Sequence, residues 1–379
     1  MPKYRFAQPP RGFPSSSQRK MPKNRLVPSP RKFRPSRRIL TSAHSPTVNS
    51  PASGDDDLWE GRGVAEYLGS LHDVGFPDLP YSKVRVVSWK LANPAVPPTQ
   101  LEGIITSKER ELVEEELVGK GKKYSGIFRI TSTFKGPKGR EFTIGGTAFA
   151  IGKSYAATSA HLVWNQKLGP AKSVVLHGDE RSDGIAIGGK KCVAAACHVE
   201  WAKSYRVEND FCVVSVAEPF SAGVYTYRVR RLAEEPSSFD GVVIGFPSDL
   251  PADYPGKRLI KCSDIVESSG TGTLFRVKHK VNTFVAGNSG SPVFSGEEVF
   301  AIHSRYIDES KKNYATPIDR NGNMIDQFRG VLSYTKDKCS ALLQGASYLG
   351  AAKHTGYHTQ EILVFGEDTI TPATEGVVL

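Results

Sequence analysis

The stretch FTIGGTAFAIGKSYAATSAH, residues 142–161, is the clearest indication of a β fold in this sequence. Two apolar runs, FTIGGTAFAIG and YAATSAH, flank Lys153 and Ser154 in a hairpin-like arrangement. Similar short runs recur from about Tyr124 onward, separated by Gly, Pro, Asn and Asp: GIFRITSTF, SVVLHG, DFCVVSV, GVVIGF, LFRVKHKV, SPVFSG and VFAIHSRY. Short strands of this kind over ~200 residues indicate an all-β sandwich or a pair of barrels.

The composition of the 379 residues agrees with a turn-rich β protein. Its 36 Gly and 25 Pro are too many for a helical bundle. No apolar run approaches the ~18 residues of a membrane-spanning helix, which argues against an integral membrane protein. Five cysteines, an odd number in a chain of this length, do not form a disulfide framework.

The net charge of +11 is confined to the N-terminal segment. Residues 1–54 hold twelve of the 50 Lys and Arg, ten prolines and no acidic residue, leaving 38 basic against 39 acidic residues elsewhere. We expect a disordered basic arm. It could serve as an organelle transit segment, a removable leader, or an arm that binds nucleic acid or an anionic surface. The absence of a secretory apolar region favours an intracellular or organelle-targeted protein.

Changes in composition divide the chain into four parts: the arm 1–54, a linker or pro-segment 55–123, the β body 124–334 and a C-terminal extension 335–379. Within the second part, the pattern of residues 106–118 predicts a helix. Thr106 can cap it with Glu109 three residues later, and Gly119 follows as a stop.

Three segments of the β body suggest chemistry: TSAHLV around His161, ENDFCVVSV around Asp210 and AGNSGSPVF around Ser289. Each alone fits an ordinary structural role, but together they match the parts of an acyl-transfer site. Gly287 and Gly290 allow a tight turn that exposes the Ser289 oxygen. The N–H groups of Gly287 and Ser289 can then converge on a developing oxyanion.

His161 is the candidate base for the Ser289 proton, and Asp210 is the candidate carboxylate that orients the imidazole. Asp183 competes with Asp210 for this role. We favour Asp210 because it lies 49 residues after His161, whereas Asp183 lies only 22 residues after it. The shorter interval leaves little chain for the strands that must return to the site.

The order of these segments resembles that of the chymotrypsin-fold (trypsin-like) serine peptidases. GNSGSPVF, GTAFAIGKSYAATSAHLV and VVIGFPSDLP are most similar to the glutamyl endopeptidase branch, which includes the exfoliative toxins. The resemblance covers roughly residues 124–330. It implies two antiparallel six-stranded barrels, a site in the cleft between them, attack by Ser289 on a protein or peptide substrate, and an acyl-enzyme.

The resemblance also implies a specificity. In that branch a histidine on the strand after the nucleophile contacts an acidic substrate side chain, and His303 occupies the matching position. We therefore take His303, Thr283 and Ser304 as substrate-binding residues and expect cleavage after Glu or Asp. A desolvated carboxylate requires such a polar wall. The alternative interpretation is that His303 is an ordinary strand histidine.

Other interpretations remain open. The chain could be a weak or inactive binding module whose pocket is occluded by Phe284 and Tyr306. It could also be a zymogen cut at the basic group of Lys120, Lys122 and Lys123. Cys192, Cys197 and His198 could begin a zinc site, but no fourth ligand is evident, so we expect no metal. The sequence has no nucleotide-binding loop, and we expect no cofactor.

Overall fold

Two large β-sheets make up the fold in the computed structural model. The structure describes residues 84–92, 110–165, 167–179, 189–229, 238–247, 258–269, 276–279, 287–307, 312–319, 322–338, 343, 346–354 and 356–366. The strands are β1 (Val84–Lys90), β2 (Glu111–Leu112), β3 (Ile127–Lys135), β4 (Glu141–Gly152), β5 (Tyr155–Thr158), β6 (Trp164–Asn165), β7 (Gly169–Pro170), β8 (Ser173–His177), β9 (Lys190–His198), β10 (Cys212–Val216), β11 (Ser238–Gly245), β12 (Ile260–Ser269), β13 (Arg276–His279), β14 (Pro292–Ser295), β15 (Glu298–Ile307), β16 (Lys312–Pro317), β17 (Ser347–His354) and β18 (Gln360–Gly366). The α-helices in this part of the chain are α1 (Val199–Ser204) and α2 (Ile325–Asp337).

Each sheet contains a closed ring of six antiparallel strands. In the first barrel the order is β10-β5-β4-β3-β8-β9, and β10 pairs with β9 to close the ring. In the second the order is β11-β14-β15-β16-β13-β12, closed by the pairing of β12 with β11. The two six-stranded barrels predicted from the sequence are therefore confirmed.

Strands from outside residues 124–334 extend the first sheet. β1 lies beside β9 beyond the point where β8 ends, with Val87 opposite Cys197. β18 pairs with the other edge of β1, and β17 pairs with β18. These strands come from the segments interpreted as a linker and a C-terminal extension, and all of them belong to the same compact unit, Asp55–Leu379.

The period-two alternation of β10 shows how the first barrel meets its surroundings. Cys212, Val214 and Val216 pack inside the barrel, in one cluster with the core of β3 and β8. Phe211 and Val213 face the other way, and the ring of Phe211 lies 4.9 Å from that of Phe328 on α2. β10 is therefore buried on both faces, and Asp210, two residues before it, is buried as well.

The prediction of a helix over residues 106–118 is wrong for its described part. Residues 110–118 instead contain β2 and a 3₁₀ turn, Glu115–Leu117. The N–H of Val113 donates to the carbonyl of Leu259 at 3.0 Å, beside the pairing of β2 with β12. Burial of Val113 and pairing with a distant strand thus outweigh the local helical pattern. Thr106 and Glu109 lie outside the described residues.

Neither α-helix of the described chain is long and apolar enough to cross a membrane.

Candidate active site

Strand pairing brings His161 and Asp210 to one end of the first barrel. Thr158 at the end of β5 lies opposite Cys212 at the start of β10. The chain that follows Thr158 and the chain that precedes Cys212 therefore leave the sheet at the same edge. There the Nδ1 of His161 lies 2.7 Å from Asp210 Oδ2, and the His161 backbone N–H donates to Oδ1 at 2.8 Å.

Asp210 is fully buried and its carboxylate is held by several donors. Burial alone raises the pKa of Asp210, but the charge and hydrogen bond of His161, the charge of Arg305 and the hydroxyl of Ser304 together hold it below its usual value. The ionised carboxylate can only accept, so Nδ1 of His161 carries a hydrogen. In the neutral ring Nε2 is then left as the acceptor, which is the state that a general base requires.

The turn that carries Asp210 is clamped by Asn323. This side chain is fully buried, and its Nδ2 donates to the carbonyl of Glu208 at 2.7 Å and to that of Pro317 at 3.2 Å. Its Oδ1 accepts from Asn209 at 3.4 Å. Asn323 carries no sign of this role in the sequence, since nothing near it in the chain points to a partner 115 residues away.

The turn before β14 has the conformation expected of its glycines. Gly287 and Gly290 have φ angles of 97° and 87°, and a Cβ on Gly290 would overlap the carbonyl oxygen of Thr147. The N–H of Thr147 donates to the carbonyl of Ser289 at 2.7 Å, and its hydroxyl donates to that of Gly287 at 2.8 Å. Thr147, on β4 of the first barrel, therefore fixes the turn of the second; the sequence analysis did not identify it.

Ser289 and its neighbouring amides face the same region. The Ser289 hydroxyl donates to the carbonyl of Ser304 at 3.1 Å, and the Ser304 hydroxyl in turn donates to Asp210 Oδ2. Among the described residues, the N–H groups of Gly287 and Ser289 find no acceptor. Ser304 thus links Ser289 to Asp210, and Asp210 contacts His161 directly. The two amides remain available for an oxygen ligand.

Of the three predicted substrate-binding residues, the structure describes His303 and Ser304, and both are buried on β15. His303 is only 2% exposed, opposite Ala315 on β16, and its N–H donates to the carbonyl of Ser291 at 2.8 Å. The side chain of Ser304 contacts Asp210, a role that the sequence did not indicate. Thr283 and the competing acid Asp183 lie outside the described residues.

An aromatic and a cationic side chain stand beside the imidazole. The ring of Trp201 lies 6.3 Å from that of His161, and the guanidinium of Arg305 lies 5.9 Å from the Trp201 ring centre. Arg305 directly follows Ser304 on β15 and is half-buried. The wall next to His161 is therefore positively charged as well as apolar.

The cysteines and histidine considered for zinc have other surroundings. Cys192 and Cys197 are buried in β9, and burial raises the pKa of the Cys197 thiol far above its usual value. His198 caps α1 by accepting from the N–H of Glu200 at 3.0 Å. Within the described residues, no group of three or more potential metal ligands comes together.

Several solved structures with a similar fold are proteases, and one is an inactivated protease paralogue. A Glu endopeptidase in complex with MPD aligns with a TM-score of 0.47 and 16% identity, over 63% of this chain and all (100%) of its own. The protease Anisep from Arthrobacter nicotinovorans aligns at 0.41 and 16% identity, over 51% and 89% of the two chains. An inactivated protease paralogue of the scabies mite aligns at 0.41 and 13% identity, over 60% and 99%.

No protein-family model and no curated protein matches the sequence. The chain resembles glutamyl endopeptidase and other trypsin-like serine proteases, and at these identities the likeness concerns the fold alone.

Proposed function

We propose that this chain is a serine endopeptidase that cleaves protein or peptide substrates through an acyl-enzyme. The observation that carries the proposal is the contact of His161 with the buried, ionised Asp210, linked through Ser304 to the hydroxyl of Ser289. A carboxylate, an imidazole and an alcohol are the three groups of a catalytic triad. In the proposed mechanism the Ser289 hydroxyl turns from the carbonyl of Ser304 to Nε2 of His161 when substrate binds.

In the proposed mechanism, Ser289 Oγ attacks the substrate carbonyl while its proton passes to Nε2 of His161. Asp210 stabilises the resulting imidazolium and stays ionised. The N–H groups of Gly287 and Ser289 bind the oxyanion of the tetrahedral intermediate. His161 then returns the proton to the leaving amine, and water hydrolyses the acyl-enzyme by the same two steps.

The test is hydrolysis of a fluorogenic peptide library by the purified chain and its variants. Ser289→Ala should lower kcat by about 10⁴-fold or more, because the nucleophile is lost. Ser295→Ala removes a hydroxyl at the end of the following strand and should leave kcat within about twofold of the parent. Equal hydrolysis by both variants would show that another residue is the nucleophile. A folded parent without turnover would favour the binding module.

The proposal includes a preference for Glu or Asp before the scissile bond, read by His303. Its main chain is fixed to the nucleophile turn, since its N–H donates to Ser291 and its carbonyl accepts from Gly290 at 2.8 Å and from Ser159 at 3.0 Å. A shift of His303 would therefore also shift Ser289. This coupling favours a residue that positions substrate relative to the nucleophile.

The preference is tested by comparing paired peptides that differ only in Glu or Gln before the cleaved bond. The parent should favour Glu by at least about tenfold in kcat/KM, because a desolvated carboxylate needs a donor. His303→Ala should remove that ratio while still cleaving both peptides. A parent that treats the two peptides alike would make His303 an ordinary strand histidine.

A further inference from the structure

A cavity of about 430 Å³ lies away from the candidate catalytic residues. Its walls are the turn between β4 and β5, the end of β10 and the C-terminal half of α2. Its lining includes four charged residues, a tyrosine and a buried serine: Lys153, Arg329, Lys336, Asp337, Tyr155 and Ser215. None of these was singled out by the sequence, because they come from three separate stretches of chain.

The lining carries three cations and one acid. Lys153 and Lys336 make no ion pair with any residue in the described ranges, and both are exposed at the mouth. Asp337 is the acidic lining residue, also exposed, at the end of α2. The excess of positive charge around one concave surface favours an anion.

Arg329 is held in a fixed orientation. Its guanidinium lies 5.3 Å from the ring centre of Tyr155, whose hydroxyl bonds the Ser333 hydroxyl at 2.6 Å. One end of the guanidinium, Nη1, contacts Asp326 at 3.5 Å. Its Nε is buried and has no partner among the described residues. The guanidinium is anchored on one side, and its planar fork of donors is suited to an oxyanion.

Ser215 supplies a second unmatched group. It is only 2% exposed, and its Oγ has no hydrogen-bond partner in the described part of the chain. Leaving a buried hydroxyl without a hydrogen-bond partner is destabilising, so such a group is usually satisfied by a ligand or water. Val216 and Leu332 complete the wall with apolar surface.

We propose that this cavity binds a small oxyanion with at least two negative charges, carried by phosphate or carboxylate groups. Arg329 would supply the directed donors, and Lys153 and Lys336 would neutralise the remaining charge at the mouth. The site is independent of the proposed catalytic residues. Asp210 lies just before the start of β10, and Ser215 lies near the end of the same strand. The ligand would therefore contact β10 at the end opposite to the candidate acid.

The experiment is calorimetric titration of the full chain with pyrophosphate and, separately, with citrate, at constant ionic strength. The parent should bind at least one of them with a Kd below about 1 mM. Lys153→Gln combined with Lys336→Gln should raise that Kd roughly tenfold. The matched control is Lys138→Gln with Lys353→Gln, which removes the same charge at two exposed positions elsewhere. It should leave the Kd within about twofold.

The control also accounts for the basic arm, since any binding to residues 1–54 is the same in both double variants. Arg329→Lys keeps the charge but removes the fork, and should weaken binding by roughly tenfold. Preference for pyrophosphate would identify phosphate as the natural group, and preference for citrate would identify carboxylate. The proposal is overturned if the parent binds neither anion, or if the two double variants weaken binding equally.

Discussion

The two barrels contribute to the candidate site in different ways. The first barrel provides side chains: His161 and Asp210 are buried and fixed by hydrogen bonds to each other. The second provides backbone: the turn from Gly287 to Gly290 owes its shape to positive φ angles and main-chain bonds. The charge of Asp210 is set by partners far away in the sequence, whereas the turn depends both on its own glycines and on the bonds from Thr147.

The largest loss of kcat is expected from changes to the side chains that the first barrel provides. Asp210→Asn keeps the shape of the acid but removes its charge, so that His161 loses the partner that fixes its tautomer. The kcat for peptide hydrolysis should fall by about 10⁴-fold, with KM little changed. Asp240→Asn, a charge loss at an exposed position of β11, serves as the control and should retain the parental kcat. A variant Asp210→Asn with more than a tenth of parental kcat would contradict the role assigned to this carboxylate.

The role of the backbone turn that the second barrel provides is tested by substituting two glycines, Gly290 and Gly296. A Cβ on Gly290 would overlap the Thr147 carbonyl, so Gly290→Ala should displace the amides of the turn and lower kcat by about 10²–10³-fold. Gly296 also has a positive φ, 66°, but a Cβ there meets nothing within 4 Å. Gly296→Ala should therefore cost about 1 kcal/mol of stability and leave kcat intact. Similar kcat losses in both variants would mean that strain, rather than the contact with Thr147, sets the turn.

A stability measurement compares the β1 extension with the barrel that it covers. Trp89 on β1 is fully buried, donates from Nε1 to the carbonyl of Ala171 at 3.1 Å, and packs edge-on against Trp164. Trp89→Ala should lower the free energy of unfolding by about 3–5 kcal/mol in urea denaturation. Lys90→Ala, at the exposed end of the same strand, should change it by less than about 0.5 kcal/mol. A small effect of Trp89→Ala would restore the interpretation of this segment as a dispensable linker.

The same strand bears on the zymogen interpretation. A cut at Lys120, Lys122 or Lys123 would leave β1 paired with β9 and β18 in the first sheet. The upstream piece is then expected to co-purify with the rest of the chain under native conditions.

The smallest effect expected from any single residue is a pH dependence of stability that arises in the first sheet. Burial is the main cause that lowers the pKa of His198 to about 3, of His177 to about 4 and of His354 to about 4. Nearby arginines add to the shifts of His198 and His177, and His358 adds to that of His354. The unfolded chain takes up protons near pH 6.5 that the folded chain refuses.

Stability should therefore be full above about pH 6.5 and fall towards pH 4, by up to about 1.4 kcal/mol per pH unit for each histidine. Urea denaturation at pH 7, 6 and 5 measures this slope. His354→Gln should make the slope shallower, whatever its effect on stability at pH 7. An unchanged slope in that variant would show that His354 becomes charged without unfolding.

The sequence predicts the parts of the site that depend on local residue choice. Gly287 and Gly290 are visible as a turn around Ser289. The short runs after Tyr124 predict an all-β sandwich or a pair of barrels, and the family resemblance implies the two barrels that are observed. The contacts of Ser304 with Asp210 and of Asn323 with Glu208 were not predictable, since they join residues 94 and 115 positions apart. Only the closed fold brings such pairs together.

The elements at the end of the β body and outside it show the same limit. VRVVSWK in β1 and QEILVFG in β18 carry the β-branched and apolar residues typical of strands, but their pairing of Val87 with Val364 spans most of the chain. In α2, Ile325, Phe328 and Leu332 give a helical spacing that the sequence analysis did not use.

The most direct test of the central claim is to map where a fluorophosphonate reacts with the folded chain. Ser289 Oγ should displace fluoride and form an Oγ–P bond while its proton passes to His161. Mass spectrometry should then find a single phosphonyl group, on the peptide that contains Ser289, and none in Ser289→Ala. An adduct on any other residue, or a folded parent that forms none, would contradict the account.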